Sequence, residues 1–273
     1  MSEKTIAFIG TGNMSYAIIG GLINSGFKPD NIIATNRNAD KLEKVQADFG
    51  IRATNDNITA IEQADYIVLS VKPQMMEALC DTIKTSSVNF QEKVFISVAA
   101  GIKVARLQEM LGHPVKMIRC MPNTPSLLGK GVSGLYSNNA SEQERAFTSD
   151  IFNATGIVSW LEQEDQINDI IAVTGSSPAY LFLFLEAIEE KAQQLGFDKQ
   201  QARQLVDQVA TGAADMVAHS PDLSISQLRA NVTSKGGTTA AAIAHFEQHN
   251  LKNTVADAMD ACINRAQQME QEF

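Results

Sequence analysis

The sequence offers little to several large classes of protein. No apolar run approaches the roughly 20 residues that cross a bilayer, so no membrane partner is expected. The opening stretch MSEKTIAFIG enters a strand-like pattern at once and lacks a signal-peptide layout, so a cytoplasmic location is expected. Cysteine is scarce: Cys80, Cys120 and Cys262 are scattered, odd in number and without metal-ligand spacing. They read as core or interface thiols in a reducing compartment. No Ser/His/Asp or metal-binding constellation stands out, and His113, His219, His245 and His249 read as surface or structural residues. Positive charge is in deficit. Residues 1–160 carry 15 basic and 15 acidic side chains, whereas residues 161–273 carry 7 and 16. An acidic half has no electrostatic reason to hold nucleic acid. The same shift in composition suggests a boundary near residue 160.

The first part is rich in short β-branched runs separated by amphipathic stretches. Strands are predicted at residues 5–9, 32–35, 66–71, 94–99, 115–121, 132–136 and 157–161, with a shorter one near Arg52. Helices are predicted at residues 13–24, 40–49, 73–82, 104–111 and 141–154. Continuous apolar strands between helices imply a mostly parallel sheet covered on both faces. After Glu162 the pattern becomes helical and rich in alanine. Ser177 is expected to cap a helix that opens with Pro178 and is apolar all round from Tyr180 to Leu185. Gly196 ends it and Asp198 caps the next. In the last helix Val255, Met259, Cys262, Ala266 and Met269 form a stripe that reads equally as a subunit seam or as a core face. The fold class is therefore α/β, with a Rossmann-type N-terminal sheet at residues 1–162 and an all-α domain at residues 163–273.

Strand one runs directly into Gly10-Thr11-Gly12-Asn13-Met14-Ser15 and an apolar helix. The first glycine permits a tight turn, and the second removes a side chain so that a pyrophosphate can approach the backbone. The helix then offers free N–H groups and a positive dipole end. The third glycine of the usual pattern is replaced by Ser15. At the end of strand two, where a carboxylate would hold the ribose of NAD, stand Thr35-Asn36-Arg37-Asn38. Arg37 can pair with a 2′-phosphate in a fork, so NADPH is favoured over a weaker NADH. Strand ends at Ser70-Val71-Lys72-Pro73 and Ser97-Val98-Ala99-Ala100-Gly101 should line the nicotinamide side.

With these residues in view, the chain resembles the pyrroline-5-carboxylate reductases, which make proline from its cyclic imine precursor. The resemblance is carried by residues 8–14, Val71-Lys72-Pro73, residues 97–101, residues 119–125 and residues 175–180. It is most specific in Leu228-Arg229-Ala230-Asn231-Val232-Thr233-Ser234-Lys235-Gly236-Gly237-Thr238-Thr239. Lys235 departs from the family, which has proline there. The resemblance implies cofactor contacts at Ile9, Gly10, Thr11, Gly12, Asn13, Met14, Asn36, Arg37, Asn57, Val71, Lys72, Pro73, Ala99 and Asn231. It implies substrate contacts at Asp222, Ser234, Gly236, Gly237, Thr238 and Thr239; the catalytic candidates are Thr238 and Thr239, a hydroxyl of one or the other orienting the imine nitrogen. The loop's physics agrees, because glycines before a helix N-terminus form a concave set of donors suited to a carboxylate. The ring would then be set over the nicotinamide.

Two other readings also fit these residues. One is a reductase of the β-hydroxyacid dehydrogenase or imine reductase type, which should lack the glycine-threonine loop. The other is an NADP(H)-binding sensor without turnover. A homo-oligomer, at least a dimer, is expected, because a short helical domain has difficulty covering a helix apolar on every side. The family builds dimers through this domain. The expected pocket then uses both chains, with the loop of one subunit facing the nucleotide domain of the other.

Overall fold

A computed structural model describes residues 4–273. Eight strands form one sheet: β1 (Ile6–Ile9), β2 (Ile32–Thr35), β3 (Arg52–Thr54), β4 (Tyr66–Leu69), β5 (Val94–Ser97), β6 (Lys116–Met121), β7 (Gly131–Tyr136) and β8 (Gly156–Trp160). They are threaded with α1 (Asn13–Asn24), α2 (Ala39–Phe49), α3 (Asn57–Gln63), α4 (Met76–Lys84), α5 (Val104–Leu111) and α6 (Glu142–Asn153). The remaining elements are helical: α7 (Gln166–Ile170), a π turn at Ile171–Gly175, α8 (Ser177–Gln194), α9 (Lys199–Ala218), α10 (Ile225–Asn231), α11 (Thr238–Gln248) and α12 (Leu251–Glu272).

The strand order is β3-β2-β1-β4-β5-β6-β7-β8, parallel except where β7 runs against β6. The predicted α/β class with a Rossmann-type sheet is therefore the observed one. The order reverses between β1 and β4, and in open α/β sheets that reversal opens a crevice at the carboxyl ends of the strands. Every residue of β1, β2, β4 and β5 is buried, as strands covered on both faces must be. Alternation along β1 splits the core in two. Ala7 and Ile9 join Leu79, Ile83, Leu107 and Leu111 on one face. Ile6 and Phe8 join Ile18, Ile19, Ile151 and Phe152 on the other.

On the second face the packing is tight at Gly21 of α1. A Cβ there would lie 2.5 Å from the Ala154 carbonyl oxygen and 2.7 Å from Thr155 Cγ2. Gly21→Ala should destabilise the protein by about 1–3 kcal/mol, because overpacking against backbone cannot relax cheaply. Urea unfolding would read this as a lower midpoint with an unchanged slope.

Local differences from the sequence reading have local causes. Helix α3 has no counterpart among the predicted helices, because Asn55-Asp56-Asn57 carries turn chemistry. Asp56 in fact caps it, accepting the N–H groups of Ile58 and Thr59. The stretch predicted as a helix at residues 73–82 begins as a 3-10 turn at Pro73–Met75 and becomes α4 at Met76. Ser177, the expected cap, is the first residue of α8, because α7 and the π turn lead into that helix. Gln166–Gln194 therefore forms one helical stretch long and apolar enough to cross a membrane by length and composition alone. Its polar Thr174-Gly175-Ser176-Ser177 segment hid that length in the sequence.

The chain divides into two compact units. The first runs to Ser176 and takes back Cys262–Phe273, and the second is Ser177–Ala261. Within the second unit, among the described residues, only Ala202 and Val206 are buried hydrophobics. Many of its other apolar side chains are open, with Leu181, Phe182 and Leu183 each more than 60% exposed. The stripe on α12 is divided as well. Ala266 is buried, Cys262 Sγ lies 3.3 Å from Ser176 Oγ, and Val255 is 47% exposed. Its C-terminal half is thus a core face of the first unit.

Candidate functional site

The crevice at the β1/β4 reversal is a cleft of about 550 Å³. Gly10 ends β1 with φ +92°, and a Cβ there would sit 3.0 Å from the Ser70 carbonyl oxygen and from Val71 Cγ1. A glycine is required on both counts. At Gly12 a Cβ would meet no protein atom within 4 Å, so the space over the turn is open to a ligand. Gly12 is also the N-cap of α1, and no side chain caps that helix. Its first N–H groups are therefore available to an anion, which the helix dipole favours.

The turn is held by a polar network. The Gly10 N–H donates to Thr35 Oγ1 at 3.3 Å, and Thr35 Oγ1 donates to Asn57 Oδ1 at 2.7 Å. Thr11 Oγ1 donates to the Thr35 carbonyl at 2.9 Å, and Asn36 Nδ2 donates to the Thr11 carbonyl at 2.8 Å. Ser15 explains the missing third glycine. It is fully buried, its hydroxyl donates to the Gly10 carbonyl at 2.8 Å, and it lies 2.7 Å from Ser70 Oγ. The hydroxyl ties β1 to β4 across the reversal.

Of the residues expected at the cofactor, Gly10, Thr11, Gly12, Asn36, Arg37, Asn57, Val71 and Lys72 line this one cleft. Ile9 is the buried last residue of β1, and Asn13 and Met14 open α1. Pro73 opens the 3-10 turn that follows Lys72. Ala99 is buried just beyond β5, and Asn231 is the exposed last residue of α10 in the second unit. The sequence reading passed over Lys41, which also lines the cleft. Its signal was its place in the first turn of α2, where Asn38 accepts its backbone N–H at 3.1 Å. Arg37, Lys41 and Lys72 are the charged residues of the lining, and no carboxylate stands among them. Such a surface favours phosphate groups. The donors, the open turn and the cations fit a phosphorylated dinucleotide.

The second predicted cluster is built around α11. Gly236 has φ +72° with open space around it, and Gly237 is the N-cap of α11 at φ −80° and ψ 170°. No side chain caps α11 either. A threonine cap is therefore absent. Thr238 and Thr239 form the first turn of α11 with exposed side chains. The loop is folded by short bonds: Thr233 Oγ1 donates to the Arg229 carbonyl at 2.6 Å, and the Gly237 N–H donates to the Ser234 carbonyl at 3.0 Å. Ser234 and Lys235 are exposed on it. Asp222 lies exposed between α9 and α10. Asn38, Asp56, Ser141, Asp198 and Ser224 each cap a helix with a side chain. Helices α1 and α11 instead begin at bare glycines, where the N–H groups stay open.

A Rossmann-type sheet with a basic cleft at its reversal point defines a dinucleotide-dependent oxidoreductase. Comparison with known proteins narrows this. The family model described as pyrroline-5-carboxylate reductase dimerisation matches residues 164–269, and that of NADP oxidoreductase, coenzyme F420-dependent, matches residues 5–101. The pyrroline-5-carboxylate reductase of Vibrio alginolyticus is 49% identical over the whole of both chains. The structure of the Coxiella burnetii enzyme of the same name superposes with a TM-score of 0.91 at 39% identity, covering 98% of this chain and 99% of that one. The Plasmodium falciparum pyrroline carboxylate reductase, solved with NADP bound, gives 0.86 at 29% identity over 99% of each chain. The chain belongs to the pyrroline-5-carboxylate reductase family.

Proposed function

We propose that this protein reduces 1-pyrroline-5-carboxylate to L-proline with NADPH. The carrying observation is full-length kinship at 49% identity, and the open α11 N-terminus supplies the matching chemistry. NADPH, when bound, supplies the hydride that reduces the imine carbon. Gly10, Gly12 and the first turn of α1 bind its pyrophosphate, and Arg37 and Lys41 bind its 2′-phosphate. NADH, lacking that phosphate, binds more weakly. Ile9, Thr11, Asn13, Met14, Asn36 and Asn57 shape the adenosine and ribose side, and Val71, Lys72, Pro73 and Ala99 the nicotinamide side. Asn231 is assigned to the cofactor by family likeness. The N–H groups of Gly236, Thr238 and Thr239 hold the substrate carboxylate, with Ser234 beside them, while the Gly237 N–H stays bonded to the Ser234 carbonyl. Thr238 and Thr239 orient the imine nitrogen, and Asp222 balances its charge. A protonated imine is already electrophilic, so positioning carries much of the rate. We assign the nucleotide to residues 1–162 and assembly and substrate to residues 163–273, whereas the compact units divide after Ser176 and the first takes back Cys262–Phe273.

Turnover tests this directly. Purified protein with NADPH and pyrroline-5-carboxylate should form one proline per NADPH oxidised. NADPH binding without proline formation would instead identify a sensor.

The protein is a homo-oligomer through its dimerisation domain, and the open faces of Leu181, Phe182 and Leu183 support a dimer in which α8 is covered by the partner. That assignment also accounts for the membrane-like length of Gln166–Gln194 without a membrane. The three free cysteines suit the cytoplasm. Leu183→Glu should weaken the dimer by at least about 100-fold, since an unpaired charge at a covered apolar face costs several kcal/mol. Light scattering across a dilution series reads this. A wild-type monomer that keeps full activity at nanomolar concentration would remove the interface.

A further inference from the structure

The last turns of α12 close on the first unit around a buried guanidinium. Arg119, on β6, is 2% exposed. Its Nη1 donates to Glu164 Oε1 at 2.9 Å and to Glu270 Oε1 at 3.2 Å, while its buried Nη2 has no hydrogen-bond partner. Glu270 is itself 7% exposed, and its Oε2 lies 3.3 Å from Lys103 Nζ. Lys103 also meets Asp165 at 2.8 Å. Glu164 accepts the Val104 N–H at 2.7 Å, covering the start of α5 where no cap side chain serves. Two cations and three carboxylates thus meet at the loop joining β5 to α5. The helix presses on that loop too, since a Cβ on Gly101 would lie 3.1 Å from Met269 Cβ.

Burying Arg119 and Glu270 is a poor way to gain stability, because apolar side chains of similar volume often do as well or better. Phe273 already packs against the apolar core beneath. What the ion cluster adds is direction. The two oxygens of one carboxylate fix Arg119 of β6 and Lys103 of the loop at once. The loop continues from β5, and the Val98 N–H donates to the Leu69 carbonyl of β4 at 3.2 Å. It therefore stands beside the strand end that leads into Ser70, Val71 and Lys72 of the cleft wall.

We propose that Glu270, from the far end of the chain, is a positioning residue that sets the loop at residues 98–103 as the nicotinamide-facing wall of the cofactor site. This rests on the assignment of Ala99 and its neighbours to the nicotinamide side. Binding of two ligands to the full-length protein tests it: NADPH, and adenosine 2′,5′-bisphosphate, which has no nicotinamide. Glu270→Gln should weaken NADPH about tenfold and lower kcat by a similar factor, as a displaced wall loses alignment. Bisphosphate affinity should stay unchanged. Lys103→Met, which leaves both partners of Arg119 in place, should show the same split in milder form and decides the matter if Glu270→Gln does not fold. Equal losses for both ligands, or none, would overturn the proposal. Ala100→Trp checks the underlying assignment. If it weakens NADPH while Glu270→Gln does not, only the role of Glu270 falls. If it leaves NADPH untouched, the loop does not face the nicotinamide and both fall.

Discussion

Gly237→Val is expected to lower kcat/KM for the imine by roughly 10²–10⁴-fold while leaving NADPH affinity unchanged. The backbone at φ −80° and ψ 170° accepts valine, so the effect does not come from a forbidden dihedral. It comes from the side chain itself. A Cβ would stand 2.6 Å from Ser234 Oγ and 3.2 Å from the Ser234 carbonyl oxygen. The β-branched carbons beyond it would occupy the approach to the first N–H groups of α11. Hydrogen bonds to a charged group contribute about 1.5–3 kcal/mol each, and two lost bonds give the stated range. Steady-state kinetics with a parallel NADPH titration measure both arms. A variant with normal KM for the imine would remove the carboxylate from this loop.

The second large effect is expected from Arg37→Asp. NADPH should weaken by roughly 10²-fold or more, and NADH far less, because the loss falls on the 2′-phosphate alone. The lost fork contributes about 1.5–3 kcal/mol, and the new carboxylate adds repulsion of order 1 kcal/mol in an exposed setting. Lys41 remains in the lining, so binding is weakened rather than abolished. The discrimination between cofactors should also shrink in high salt, as screening acts on exposed charges. Equal losses for NADPH and NADH would show that Arg37 does not read the phosphate.

The parts of the structure readable from the sequence are those written in short-range patterns. Four fully buried apolar strands and a glycine turn between β1 and α1 announce themselves within a dozen residues. The Thr35-Asn36-Arg37 end of β2 and the Ser234–Thr239 loop do the same. What escaped detection is non-local or depends on packing. Ser15 looks like a defect in a motif until its hydroxyl is seen bridging Gly10 and Ser70, 55 residues away. Arg119 and Glu270 are 151 residues apart, and no periodicity links them. The α12 stripe has one spacing and two environments, so the sequence left seam and core equally open. Helix α3 was hidden because its cap, Asp56, is also a turn residue.

The second unit has almost no interior of its own, with only Ala202 and Val206 buried among its described hydrophobics. On the proposed dimer, folding of such a unit and finding a partner become one equilibrium, and the protein's own concentration acts as a stabilising ligand. Its melting temperature then rises with concentration. With the proposed dimer as the active form, catalytic capacity would fall faster than protein level as expression drops toward the dissociation constant, which would make abundance itself a control on proline output.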